Sequence, residues 1–377
     1  MRPENAFHRL LWVLVLLLLF PQPVRADKPI TVGDGTAASC SETAVRLALA
    51  VAEASGGGTI RFKCGNLPTT IVFNEIDGTA VLVLPGDTII DGGGLIAFAG
   101  AGNLLGYLLF VPSDTNAVLK DLTIGSRSLF PSILNKGTLS VENSTVSDSP
   151  GGGISNEGTL IVDKSTFSGN GAFNMSAISN AGQLIVKNSL FFNNDGFGSG
   201  GIENVGGASA TINHTTFLQN SAEGTGGIRN FGTMTVTNSE FSDNHGIFAD
   251  GGITNVGTLT VKRTTFSDNL ALMGGTGGIT NFGILTVEKS AFLENSGFSG
   301  GISNVGTLTV RNSEFIGNEA AGQGGGLIIY AGTTFVHNSE ITNNTADQAG
   351  GGIYKAGGTL TLEHTTVTGN TPDDIAP

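Results

Sequence analysis

Gly252-Ile253-Thr254-Asn255-Val256-Gly257-Thr258-Leu259-Thr260-Val261, closing on Thr265-Phe266-Ser267-Asp268-Asn269, decides the fold, because nearly the same phrase is written on either side of it. One phrase upstream runs Gly227-Ile228-Arg229-Asn230-Phe231-Gly232-Thr233-Met234-Thr235-Val236 and ends in Phe241-Ser242-Asp243-Asn244. One downstream begins Gly278-Ile279-Thr280-Asn281-Phe282-Gly283 and ends in Phe292-Leu293-Glu294-Asn295. An isoleucine heads the phrase at positions 133, 154, 178, 202, 228, 253, 279, 302, 328 and 353, in steps from 21 residues (Ile133 to Ile154) to 26 (Ile253 to Ile279). Such steps are the circumference of one coil of a three-sided solenoid.

In a coil of this kind each strand pairs with its counterpart about 4.8 Å away, so a sequence column becomes a vertical stack of like side chains. Two columns are asparagine. The first stands two places after the isoleucine, at Asn135, Asn156, Asn180, Asn204, Asn230, Asn255, Asn281 and Asn304, and gives way at Tyr330 and Lys355. The second closes the phrase, three places after a mostly phenylalanine column that includes Phe167, Phe217, Phe266 and Phe315. Stacked amides can donate to one rung and accept from the next, so the asparagines are assigned to the scaffold. The Phe, Leu and Val columns are assigned to the core.

Residues 27–125 are less regular. Ser39 and Glu42 stand at capping-box spacing before Ala44–Ala54, a run of good helix formers that Gly56-Gly57-Gly58 stops. Thr59-Ile60-Arg61-Phe62 then alternates as a strand, with Cys64 just beyond. A helix here would act as a lid over the first rung, whose apolar groups and strand edge would otherwise face water. Further strands are predicted around Ile71–Phe73, Val81–Leu84, Thr88–Asp91, Leu108–Val111 and Ala117–Ile124.

Met1 to Ala26 carries Arg2 and Arg9, an apolar run Leu10–Phe20 and small residues Val24 and Ala26 before a cleavage point. It reads as a secretory signal peptide, and no later segment is apolar enough to span a bilayer. Its removal takes away three arginines and one glutamate, which moves the net charge from −13 to −15. A secreted chain this acidic is a poor partner for nucleic acid. Its two cysteines, Cys40 and Cys64, are expected to form one disulfide. The organisation is therefore a signal peptide (1–26), a cap helix with irregular first rungs (27–125), and regular repeats with a short tail (126–377).

Cys40-Ser41 at a helix start, Gly56-Gly57-Gly58-Thr59-Ile60-Arg61-Phe62 and Thr88-Ile89-Ile90-Asp91-Gly92-Gly93-Gly94 together resemble the N-terminal part of secreted right-handed parallel β-helix proteins, including those with a CSLREA segment. Over residues 130–371 the Gly-Gly-Ile-x-Asn and Phe-x-x-Asn pattern is similar to the GGAI and FxxN repeats of the chlamydial polymorphic membrane proteins. The resemblance implies an all-β, right-handed parallel β-helix of ten or more rungs within the pectate-lyase-like superfamily, and a surface-adhesin role.

For chemistry, the notable acidic column is Asp243, Asp268 and Glu294 on three consecutive rungs, whose carboxylates would stack about 5 Å apart and form a candidate Ca²⁺ site. Exposed carboxylates splaying into water are the alternative. Tyr330 and Tyr354, near the end of the repeats, form a candidate docking patch or a cap over the last rung. No lyase or hydrolase signature is visible, and Trp12, the single tryptophan, leaves with the signal peptide. The expected function is extracellular recognition or adhesion toward a glycan or cell surface; the alternatives are a polysaccharide lyase or glycoside hydrolase, and a structural spacer.

Overall fold

A computed structural model describes residues 29–74, 80–101, 105–171 and 175–377. The signal-peptide segment, and Asn174, one of four asparagines in glycosylation sequons (with Asn143, Asn213 and Asn343), lie outside the described residues. The chain winds as a right-handed parallel β-helix in which every paired strand runs parallel to its neighbour one coil away. One sheet of 25 strands covers two sides, a second of 13 strands covers the third, and a short sheet of seven two-residue strands fills a corner.

The coil built on the opening phrase shows how its residues make this path. Ile253–Asn255 is a strand of the second sheet, Thr258–Lys262 and Thr265–Ser267 lie in the large sheet, and Leu270–Ala271 belongs to the short one. Along Thr258–Lys262 alternation sends Leu259 and Val261 inward and leaves Thr258, Thr260 and Lys262 at the surface. Arg263 (φ 48°) and Asp268 (φ 55°) turn the two following corners in the left-handed region. Both conformations recur down the stack, the second at Asp148, Asn193, Gln219, Asp243, Glu294 and Asn343, and with glycine at Gly169, Gly317 and Gly369. Asp and Asn adopt it more readily than other residues with a Cβ, and glycine adopts it freely.

The core stacks as expected. Phe167, Phe191, Phe217, Phe241, Phe266, Phe292 and Phe315 are fully buried, with successive ring centroids 4.6–4.9 Å apart and planes within 12° of parallel. Both asparagine columns are hydrogen-bonded ladders. In the first, Asn255 Nδ2 donates to Asn281 Oδ1 at 2.7 Å, and the links from Asn156 through Asn180, Asn204 and Asn230 to Asn304 repeat it. The outward column Lys262, Glu288, Arg311 carries a Lys262–Glu288 pair at 3.1 Å, screened by water and of little weight in the fold.

Two readings are corrected by register. Leu327, not Ile328, pairs with Ile302, and Ile329, not Tyr330, replaces the ladder asparagine opposite Asn304. The Gly325-Gly326 corner fixes where the strand enters, and the extra residue falls in the next corner, where Gly332 takes φ 71°. Asn304 Nδ2 donates instead to Thr334 Oγ1 at 3.0 Å, which ends the first ladder. At the other end of the molecule the helix α1 spans Glu42–Ser55, and its N-cap is Ser41, whose hydroxyl accepts from the Ala44 N–H. Ser39 sits in the preceding turn, accepting from Asp34 N–H and donating to the Thr36 carbonyl. Val45, Ala48, Leu49 and Ala52 of α1 are buried over the first rung, and Gly56 (φ 72°) closes the helix.

Cys40 and Cys64 are bonded, with Cα atoms 5.7 Å apart, so the start of α1 is pinned to the strand Gly58–Phe62. Closing a loop of 24 residues removes unfolded-state freedom worth about 3 kcal/mol. Cys64→Ser is expected to lower the unfolding free energy by about that amount, with α1 losing amide-exchange protection before the central rungs. Uniform loss of protection along the solenoid would refute the local role.

Candidate functional site

One concave feature of the surface lies on the second sheet, not on the corners where the acidic column stands. It is a groove of about 280 Å³ across four consecutive rungs. Its floor is the middle residue of each three-residue strand, Thr254, Thr280 and Ser303, held in register as Thr254↔Thr280↔Ser303. One wall comes from the loops that precede these strands and carries Phe248 and Phe298; the other comes from the corner after the ladder asparagine and carries Phe282, Val305 and Tyr330. Phe248 is 63% exposed, Phe282 52%, Tyr330 40% and Phe298 38%. Aromatic rings facing solvent on both sides of a hydroxyl floor are costly for a structural element and useful for a ligand site.

Unequal loops create the hollow. Between the second ladder asparagine and the glycine pair, the chain has six residues in one rung (His245–Asp250), seven in the next (Leu270–Thr276) and four in the third (Ser296–Ser299). The long loops stand proud and expose Leu272 and Met273 beside Phe248, while the short one recedes.

Beneath the floor lies Asp250, 2% exposed, in a column otherwise occupied by small hydroxyl residues such as Ser199, Thr225, Thr276 and Ser299. One carboxylate oxygen accepts from Thr276 N–H at 2.9 Å and from Thr280 Oγ1 at 2.6 Å; the other accepts a short hydrogen bond from Thr254 Oγ1. Thr254 Oγ1 also lies 2.6 Å from Thr225 Oγ1. Burial pushes the Asp250 carboxyl above the usual range, and the three hydrogen bonds offset part of that. No charged side chain contributes to its environment. Sequence columns did not single out Asp250; the signal was an acid in a Ser/Thr column, in a rung with a lengthened loop.

A consequence is a pH-dependent liability. Because the folded-state pKa is raised, the native state binds this proton more tightly than the unfolded chain. Its stability contribution is full below the ordinary Asp value of 3.8 and is lost as pH climbs through the raised value. Asp250→Asn is expected to melt at or above wild type at neutral pH, with the difference shrinking toward pH 4. Melting curves against pH that run parallel for the two proteins would contradict this.

Asp243, Asp268 and Glu294 stand on consecutive left-handed corners, as the spacing predicts. Burial first, then the neighbouring Glu294 and Asp243 charges, raise the Asp268 carboxyl. Among the described residues no group of three or more His, Cys, Asp or Glu is placed to hold a metal ion. The left-handed corner suits Asp243 and Asp268, and Glu294 adopts it as well. Tyr330 borders the groove and Tyr354 pairs with Ile328 one rung on, in a different column. Desolvation raises the Tyr330 phenol, a hydrogen bond with Ser299 opposes this, and Tyr354 adds to the rise.

Residues 103–257 match the family model for the right handed beta helix region. Among solved structures, the mannuronan C-5 epimerase AlgE4 A-module of Azotobacter vinelandii aligns with a TM-score of 0.50 at 13% identity, covering 91% of this chain and 100% of that one. The AlgE6 A-module from the same organism gives 0.44 at 13%, covering 93% and 100%. PfbA, a surface adhesin of Streptococcus pneumoniae, gives 0.43 at 12%, covering 90% and 91%. Identities this low show the fold alone. No curated protein sequence matches the chain. Among the described residues no helix is long and apolar enough to cross a membrane.

Proposed function

We propose that this chain is a secreted recognition protein that holds an extracellular carbohydrate in the groove between Phe248 and Phe282. The observation that carries the reading is the pair of exposed aromatic walls about a floor of hydroxyls, the combination that seats the apolar faces and hydroxyl edges of sugar rings. The Cys40–Cys64 bond suits an oxidising compartment. The likeness of the repeats to those of chlamydial surface adhesins points the same way.

Recognition is preferred to catalysis because of the groove's inventory. A lyase needs a base beside a carboxylate-binding cation, and a hydrolase needs two opposed acids. The lining offers one carboxylate, buried and committed to three hydrogen bonds, and no Lys, Arg or His. Phe282→Ala, at an exposed position, should leave the fold intact and weaken binding on a glycan array about tenfold. Binding that Phe248→Ala and Phe282→Ala both leave unchanged would place the ligand elsewhere and defeat the assignment.

A further inference from the structure

We infer that the groove selects an uncharged glycan, rich in hydroxyl donors, over a polyuronate, a specificity that rests on the carbohydrate reading above and is set by Asp250 from below the floor. Thr254 spends its hydroxyl hydrogen on Asp250 and Thr280 is positioned to do the same; each oxygen then accepts from a neighbouring hydroxyl, Thr225 at 2.6 Å and Thr276 at 2.8 Å, and keeps one lone pair for a ligand donor. A hydroxyl has one hydrogen, and once it is committed the group can only accept. The floor therefore asks its ligand for donors. Sugar hydroxyls supply them, whereas an ionised carboxylate is acceptor-only.

Charge acts in the same direction. No cation lines the groove to receive a uronate, and the whole chain carries −13. The nearest floor cation one rung toward the N-terminus, Arg229, is already engaged, lying 3.8 Å from Glu203 and 4.7 Å over the Phe231 ring. One rung beyond Ser303 the floor becomes Ile328, which ends the polar track. The hydroxyl floor is thus three rungs long, bounded by a neutralised ion pair and an apolar residue. Its successive hydroxyls are about 4.8 Å apart along the solenoid axis, which favours a chain laid parallel to that axis.

Asp250 is a positioning residue, because its carboxylate is 2% exposed and both oxygens are taken up by Thr254, Thr276 and Thr280, so it acts on a ligand through the floor hydroxyls. The test is titration calorimetry with two sets of probes, neutral cello-, xylo- and manno-oligosaccharides and oligogalacturonate or oligomannuronate, at low and high salt. The expected result is binding of at least one neutral series, insensitive to salt, with the uronates at least tenfold weaker. Asp250→Asn, which turns an acceptor toward Thr254 into a donor, is expected to weaken the neutral ligand about tenfold and narrow the discrimination, without loss of thermal stability at neutral pH. Val305→Lys, on the wall, should raise uronate affinity. Uronates binding wild type as tightly as neutral chains would overturn the specificity while leaving carbohydrate recognition standing. Failure of both probe sets would overturn recognition and specificity together. An Asp250→Asn protein that keeps full affinity and full discrimination would remove Asp250 from the mechanism.

Discussion

Asn269→Ala is expected to lower the unfolding free energy by about 4 kcal/mol, a large share of the stability of any single domain. Its side chain makes four hydrogen bonds inside the wall of the solenoid. Oδ1 accepts from Asn244 N–H at 3.1 Å and from Asn244 Nδ2 at 2.9 Å, while Nδ2 donates to the Phe241 carbonyl at 2.9 Å and to Asn295 Oδ1 at 2.8 Å. Alanine leaves the Asn244 backbone N–H and one Nδ2–H buried without an acceptor, at roughly 1–3 kcal/mol each, while Nδ2 keeps its other bond to the Phe217 carbonyl. Asn295 Oδ1 still accepts from the Asn269 backbone N–H, so the loss falls mainly on the upstream rung. The measurement is urea unfolding followed by circular dichroism, since the sequence has no tryptophan beyond Trp12. A cost below about 1 kcal/mol would mean that water satisfies the orphaned groups, and the ladder would not be holding the coils together.

The ladder's ends support this account. Every amide-to-amide link donates toward the C-terminus, so the first residues, Asn135 and Asn170, have an Oδ1 with no donor, while the last need acceptors. At Asn370 the acceptor is Asp374, whose Oδ1 takes both the backbone N–H (3.0 Å) and Nδ2 (2.9 Å). A carboxylate there occupies the place of the next asparagine, at the positive end of a row of aligned amide dipoles. Thr334 closes the other ladder by the same logic. Neither end residue belongs to an asparagine column, so periodicity alone did not mark them.

That division runs through the whole molecule. What repeats was legible: Ile253, Leu259, Phe266, Asn255 and Asn269 each sit in the environment that their columns predict, because a parallel stack forces like residues to meet. The Cys40–Cys64 bond and the lid helix were legible from local signals, though the cap moved from Ser39 to Ser41 because Ser39 is used in the turn before it. What does not repeat was hidden. The groove arises from loop lengths that differ by up to three residues between neighbouring rungs, and aligning columns discards that information. Asp250 stands in the sequence only as an acid before a glycine pair; its burial and its three hydrogen bonds depend on Thr254 in its own rung and on Thr276 and Thr280 in the next. Conversely, the Asp243, Asp268, Glu294 column drew attention through repetition, and its three residues share one left-handed corner conformation.

Phe266→Ala carries the other large expected effect. The ring lies at 4.7 Å from Phe241 and 4.8 Å from Phe292, nearly parallel to both, and is wholly buried. Truncation forfeits its apolar burial and leaves a cavity between two rigid neighbours that the coil spacing keeps from closing in, at about 3–5 kcal/mol. Phe266→Leu should cost less, about 1–3 kcal/mol, because an aliphatic residue refills most of the volume and loses chiefly the two ring contacts. The column itself accepts aliphatic residues where it ends, at Val146 on one side and at Ile341 and Val367 on the other. Each rung touches only its neighbours, so the damage should also be local. Amide exchange in Phe266→Ala should speed first in the strands around Phe241, Phe266 and Phe292, with the helix-capped first rungs keeping their protection. Equal costs for the alanine and leucine variants would show that stacking geometry, and not filled volume, dominates this column.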